Sequence, residues 1–348
     1  YSGTSANLND GRNAEWGGVI LLGDTYLATE VGEGETPAVY SPDASLELQI
    51  EGLEDYGTDS KYGGGDDDDD SGEMHYVSIR YGGYVLGTAN EINGLTLGGV
   101  GRATDIDHIE VYQNKDDGLE FFGGTVNTKY ILCWMVGDDS FDWDEGFRGK
   151  GQFWAVMQGP IGTVDKSDKG SEMDGANGDG SLPSSCPTIY NATYIGHGST
   201  VGNLGNTALH FRDGTGGRFF NSLFLDFSGA CALIEGLPED SPYANAYYGN
   251  KYDAADNTTN DYVKSAYYTH DVGGKMLTVQ DSIFGSFGYT NAFGCTGMVE
   301  DAAGYAGTYG SSGKDSDKAH YGLDTGLDIF SDWNNTYTED SLNGTILS

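Results

Sequence analysis

The chain carries 348 residues with 37% apolar side chains, 56 glycines and only 7 prolines. Glycine far above its usual ~7% share, without a Gly-X-Y period, excludes collagen and favours short strands joined by tight turns. Acidic residues outnumber basic ones 54 to 17, a formal charge of −37, which repels nucleic acid and anionic membranes and attracts divalent cations.

No apolar run reaches the ~18 residues that a membrane span needs. The chain opens at Tyr1 rather than Met, which reads as a processed product whose export signal is gone. Cys133, Cys186, Cys231 and Cys295 form no CxxC pair and no zinc spacing. Four cysteines allow three pairings that sequence cannot choose among, so disulfides and buried free thiols both stay open.

The first dense feature along the chain is the run Asp66, Asp67, Asp68, Asp69 and Asp70, between Gly63-Gly64-Gly65 and Ser71-Gly72. It reads either as a solvated loop or as a calcium site, since calcium gathers about six to eight oxygens from carboxylates and carbonyls of one bent loop. Met74–Ile79 predicts a strand, and "NGLTLGG" at 93–99 follows as the next unit.

From here the chain repeats with a step of 22 residues. His108-Ile109-Glu110-Val111 falls on Tyr130-Ile131-Leu132-Cys133 and then on Gln152-Phe153-Trp154-Ala155. Leu119-Glu120-Phe121 falls on Phe141-Asp142-Trp143 and, after an insertion, on Ser171-Glu172-Met173. Alternation of period two within each unit says strand. A period near 22 with glycine corners predicts a right-handed parallel β-helix, in which each coil buries its inward face only by stacking. The columns Ile109/Ile131/Phe153, Val111/Cys133/Ala155 and Leu119/Phe141/Ser171 are expected to face inward, and Glu120/Asp142/Glu172 outward.

Later units are 187–198, 206–217, 218–227 and 275–288. Residues 236–274 read as a long excursion and 300–348 as a loop-rich cap or tail, all within a single β-helix domain over 1–348.

The Asp-Asp pairs Asp116-Asp117 and Asp138-Asp139 head equivalent turns. Adjacent coils lie about 4.8 Å apart, and like charges that close raise a pKa or recruit a cation. One Asp of each pair is expected to cap its turn through side-chain hydrogen bonds. The stack as a whole, with Glu120 and Asp142 added, is the candidate calcium site. Trp134, Phe147, Trp154 and the pairs Tyr247-Tyr248 and Tyr267-Tyr268 would stack on sugar rings if exposed; Trp143 reads as core.

The stretches "EWGGVILLG" (15–23), "YGGGDDDDDSGEMHYVSIRYGG" (62–83), "EINGLTLGGVG" (91–101), "DDGLEFFGGTVNTKY" (116–130) and "ALHFRDGTGGRFFNSLF" (208–224) resemble one bacterial family. It consists of secreted or lipid-anchored right-handed β-helix proteins of marine and Bacteroidota type, within the pectate-lyase-like superfamily. The resemblance implies fold and export, and no reaction.

β-helices of that superfamily include polygalacturonases, with the order Asn-Thr-Asp, Asp-Asp, Gly-His-Gly, Arg-x-Lys. This chain resembles that order at Asp138-Asp139, His197 and Arg212, but Lys129 follows Asn127-Thr128 and Asp213 replaces the final lysine. An inverting hydrolase needs one protonated acid and one base with carboxyl groups ~6.5–9.5 Å apart, and carboxylates on adjacent rungs could serve. A calcium-dependent lyase would use Arg148 or Arg212 as base. The favoured expectation is an exported, non-catalytic, cation-binding surface or matrix protein. Its partners would be polysaccharide, a surface protein or copies of itself, since a solenoid ends in open strand edges. The alternative is a polysaccharide lyase or glycoside hydrolase.

Overall fold

A computed structural model describes residues 12–28, 43–87, 90–159, 167–176, 181, 183–198, 206–212, 215–229, 232–234, 277–285 and 336–338. The strands begin with β1 (Val19–Leu22), β2 (Leu48–Gln49), β3 (Lys61–Tyr62), β4 (Glu73–Arg80), β5 (Val85–Gly87) and β6 (Asn90–Glu91). Next come β7 (Leu95–Gly98), β8 (Asp105–Tyr112), β9 (Leu119–Phe122), β10 (Asn127–Trp134), β11 (Phe141–Asp144) and β12 (Lys150–Met157). The remainder are β13 (Ser171–Met173), β14 (Thr188–Tyr190), β15 (Thr193–Ile195), β16 (Leu209–Phe211), β17 (Gly217–Phe220) and β18 (Leu223–Leu225). β19 (Ala232–Ile234), β20 (Leu277–Gln280), β21 (Ile283–Gly285) and β22 (Thr336–Thr338) complete the order.

Two parallel sheets wind together as a β-helix. Among the described residues, the first has seven strands in the order β1-β7-β9-β11-β13-β16-β19. The second has eleven and climbs from β4 through β8, β10 and β12 to the paired short strands β14/β15, β17/β18 and β20/β21, with β22 on β21. Because successive strands of a sheet are one coil apart, side chains of one column stack directly, and each coil's apolar face is buried by its neighbours.

The expected facing holds in the first sheet. Phe141 pairs Leu119 and Ser171, and Asp142 pairs Glu120 and Glu172. Phe141 and Trp143 are fully buried. Inside, Phe141 stacks on Trp154 with centroids 4.3 Å apart, and Phe121 stacks on Phe147 at 4.0 Å.

In the second sheet the 22-residue step fails once. Ile131 pairs Ile109 as expected, but on the next coil it pairs Trp154, not Phe153, and Cys133 pairs Val156, not Ala155. The turn through Glu145 (φ 51°) and Gly146 (φ 83°) holds one extra residue. A one-residue slip exchanges inside for outside, so Trp154 is the core residue and Phe153 is 39% exposed. Trp154 and Phe147 are therefore core, not sugar-stacking surface. Trp134 is half-buried against Tyr112, 5.1 Å between centroids.

Each long strand of the second sheet bends at one left-handed residue. These are Tyr76, His108, Tyr130 and Phe153 in the first four coils, and Asn191, Asn221 and Asp281 later, with φ between 52° and 58°. Asn and Asp tolerate this conformation best, and in the later coils the bend divides the strand into two.

Two excursions cover the outer face of the first sheet. The antiparallel pair β2–β3 brings Ile50 and Tyr62 onto Leu27 and Phe122 as a small second core. Gly98 is required there, because a Cβ would stand 2.8 Å from the Tyr62 ring. The β5–β6 hairpin and residues after it bring Asn93 over the same face.

Cys133 and Cys186 are buried, where burial pushes both thiols up. Cys231, Cys295, the excursion 236–274, both tyrosine pairs and most of 300–348 lie outside the described residues. No helix among the described residues is long and apolar enough to cross a membrane.

Candidate metal centre

The turns entering the first sheet are locked rung to rung. Gly94 N–H donates to the Asp117 carbonyl (2.9 Å), Gly118 N–H to that of Asp139 (2.9 Å) and Ser140 N–H to that of Lys169 (3.1 Å). These bonds place Asn93, Asp117, Asp139 and Lys169 in one column. Asp117 Oδ1 accepts the N–H of Asp139 (2.9 Å), and Asp139 Oδ1 accepts the N–H of Lys169 (2.6 Å). One Asp of each pair thus caps the next turn, leaving its second oxygen and its neighbour, Asp116 or Asp138, for other work.

The outward column of the first sheet runs beside these turns: Thr96, Glu120, Asp142, Glu172, His210. Turn and strand columns meet under the excursions in a cleft of about 210 Å³, roofed by Ile50, Glu51 and Asn90–Asn93. Carboxylate oxygens of Asp117, Glu120 and Asp142 can lie within 4.8 Å of one another, as can those of Asp139, Asp142 and Glu172. The same limit holds for Asp116, Asp117 and Asp138, and for Asp138, Asp139 and Asp168.

Three buried side-chain oxygens of cleft-lining residues have no partner, and the first is Asn90 Oδ1. Asn93, 7% exposed, donates its Nδ2 to Glu120 Oε2 while its Oδ1 is unpaired. Asp142 Oδ1 is also buried and unpaired. An orphaned buried acceptor costs about 1–3 kcal/mol, and more when it is charged. A bound cation would satisfy each of them, and a proton would satisfy the carboxylate alone.

The titration behaviour follows. Burial, then Asp138, pushes Asp116 up to about 7. Burial and neighbouring carboxylates hold Asp117, Glu120 and Asp142 well above the usual range. Burial also raises Asp139 and Asp138, against the pull of Lys169. Glu172 is the exception: burial pushes it up, but the His210 hydrogen bond, Lys169 and Arg212 together hold it well below the usual carboxylate range. Lys169 Nζ lies 3.0 Å from Glu172, 2.9 Å from Asp168 and 3.5 Å from Asp139. Arg212 lies 2.6 Å from Glu172. Burial lowers the His210 pKa, so its neutral Nδ1–H serves as a donor to Glu172 (3.3 Å).

Lys169 stands where the repeat would put a third Asp, after "DD" at 116 and 138 and "DK" at 168. The substitution was visible in the sequence. His210 was not, because the chain between Glu172 and His210 breaks the 22-residue count. Asn93 arrives from the coil before the repeat begins.

The other sequence candidates sit elsewhere. Asp67 Oδ1 pairs with Arg148 at 2.6 Å, and Arg102 lies 3.1 Å from Asp68 and 3.5 Å from Asp67. Asp66 and Asp70 cap local turns through the N–H groups of Asp68 and Gly72, and Asp69 Oδ2 accepts from Gly101 N–H and Ser71 Oγ–H. Among the described residues, none of the five joins a group of three ligands. His197 is buried with Nε2 3.0 Å from Ser228 Oγ, and burial holds its pKa at about 4. Asp138 and Asp139 line the cleft, but His197, Arg212 and Arg148 do not.

A model of the pectate-lyase-like β-helix domain matches residues 4–265. The chain belongs to this family. Neither a curated protein nor a solved structure matches it. Calcium–oxygen bonds are about 2.3–2.6 Å long, so opposite ligand atoms of one calcium ion stand up to roughly 5 Å apart. Oxygens within 4.8 Å of one another fit that span. The residues fit a hard cation.

Proposed function

We propose that this pectate-lyase-like β-helix is a calcium-binding, non-catalytic protein, exported to a cell surface or matrix. The ladder of Asp117, Glu120, Asp139, Asp142 and Glu172, with Asp116 and Asp138 at its margin, would hold the ion. Asn93 Oδ1 would supply a neutral ligand. The observation that carries this reading is the convergence of buried carboxylates from adjacent coils within one calcium's span, beside three oxygens without partners. The basic groups at the edge of the site are already occupied by Glu172, Asp168 and Asp139, so they serve the ladder as counter-charges. The charge of −37 supports polysaccharide bridged through cations, a surface protein or further copies of the chain as partners.

The experiment is calorimetric titration of calcium into chelator-treated protein, repeated with Asp142→Asn. Tight binding lost in the variant is expected; equal binding by both proteins removes the ladder as the site.

A second reading, a polysaccharide lyase or hydrolase, draws on one observation. Asp116, held at about 7, is poised to exchange a proton near neutral pH beside carboxylates that could act with it. Turnover of polygalacturonate or alginate, followed by new reducing ends or unsaturated product and abolished by Asp116→Asn, would replace the binding reading.

A further inference from the structure

The outer face of the second sheet carries a cluster of different chemistry, created by the bend in its strands. Strict alternation along β8 would turn Asp105 and Asp107 outward and His108 inward. His108 instead has φ 52°, so Asp107 and His108 both reach solvent while Ile106 and Ile109 stay buried. The register sets His75 of β4 beside Asp107. His75 Nδ1 lies 3.0 Å from Asp107 Oδ1, and its Nε2 lies 3.6 Å from Asp105 Oδ2. His108 Nδ1 lies 2.8 Å from the same Asp107 oxygen. Ligand atoms of His75, Asp105 and Asp107 fall within 4.8 Å of one another.

We propose that His75, Asp105 and Asp107 form a three-ligand site for a borderline divalent cation of the Zn²⁺ class, separate from the carboxylate cleft, with His108 holding Asp107 in place. Bonds of about 2.0–2.2 Å in a tetrahedral site put neighbouring ligand atoms roughly 3.4 Å apart, and the His75 contacts of 3.0 and 3.6 Å are already near that value. An imidazole ligand suits zinc, copper or nickel, whereas calcium takes oxygen ligands. The His108 ring is held between Tyr76, at 4.3 Å, and Tyr130, at 4.5 Å, so the hydrogen bond that fixes Asp107 costs little further rotamer freedom. In the metal-free protein Asp107 accepts from both imidazoles; a cation would take the place of the His75 proton, while His108 would keep donating to Asp107 and orient it. Glu73 adds negative charge beside His75. Lys129, opposite Asp107 on the next coil, sets its Nζ over the rings of Tyr130 and Phe153, at 5.1 and 5.6 Å.

The test is titration of Zn²⁺ into the full, untagged chain in the presence of millimolar calcium, which fills the cleft. One Zn²⁺ should bind with a dissociation constant of micromolar order, unchanged by Asp142→Asn. His75→Ala, His108→Ala and Asp107→Asn should each weaken it at least tenfold. Co²⁺ in place of Zn²⁺ should give the visible absorption of a four-coordinate, nitrogen-ligated ion, and lose it in His75→Ala. The metal-free melt of His75→Ala should match the parent, because this side chain is 32% exposed. Absence of Zn²⁺ binding, its abolition by calcium, or its persistence in His75→Ala would each overturn the proposal.

Discussion

Two acidic regions of this β-helix have similar charge and opposite solutions to it. The run Asp66–Asp70 is dense in sequence but dispersed in space: Arg148, Arg102 and backbone N–H groups take its oxygens. The ladder through Asp117, Asp139, Glu120 and Asp142 is sparse in sequence but concentrated in space, because stacking returns equivalent residues to one place on every coil. Charge density along a chain is therefore a poor guide to where carboxylates converge in space. Carboxylates at the period of the solenoid are a better one, since neighbours along a strand point to opposite faces while neighbours between coils share a face.

The comparison breaks most completely if the common frame is removed. Phe141→Asp would bury an unpaired carboxylate between Trp154 and Tyr194, and a loss above about 4 kcal/mol is expected. Circular dichroism should show no cooperative native melt; a normal melt would mean that Phe141 does not face the core.

Next in size is Arg148→Ala. It leaves Asp67, 12% exposed at its side chain, without its 2.6 Å partner, and it frees the carbonyls of Tyr26 and Gly146. Removing one member of a buried pair costs about 3–5 kcal/mol. Denaturant unfolding should report that loss with and without calcium alike. Rescue of the variant by calcium would place a cation at the run and erase the contrast.

At the ladder the sensitivity should be to calcium. Saturation at about a hundredfold its dissociation constant adds roughly 2.7 kcal/mol, a rise in Tm on the order of 5 °C for a chain of this size. Asp142→Asn should abolish the rise and lift the Tm measured in chelator, by relieving repulsion from Glu120 and Glu172. No difference between chelator and calcium would leave the ladder a purely structural feature.

The pH dependence separates the regions further. Asp116 is raised from 3.8 to about 7, so the folded chain keeps a proton that the unfolded chain has released. The stability this supplies is complete below about pH 4 and is lost as pH rises through 7. The raised Asp117, Glu120, Asp138, Asp139 and Asp142 act in the same direction. Glu172, held low, acts oppositely, and only below its ordinary 4.5. In chelator the Tm should fall between pH 4.5 and about 7.5, and calcium should remove most of the fall. A Tm that climbs across this interval in chelator would contradict the buried ladder.

The smallest effect is expected at the end of the Asp run. Asp70→Asn keeps an acceptor for Gly72 N–H, and a change within about 0.5 kcal/mol is expected by thermal melt.

The amino-acid sequence alone determined the solenoid and the facing of its first sheet. Leu119, Phe141, Glu120 and Asp142 carry period two along the strand and period 22 along the chain, and these are local patterns that burial enforces. It also marked the Asp pairs as ladder members. What only the tertiary structure decided are the meetings that no period encodes. One extra residue near Glu145 moved Trp154 into the core in place of Phe153. Arg148 reaches Asp67 across 81 positions, His210 enters the acidic column from beyond an insertion, and Asn93 completes the cleft from a covering excursion. Repetition makes contacts between equivalent residues predictable. Insertions and excursions obey no such rule, because their course depends on which coil they settle against.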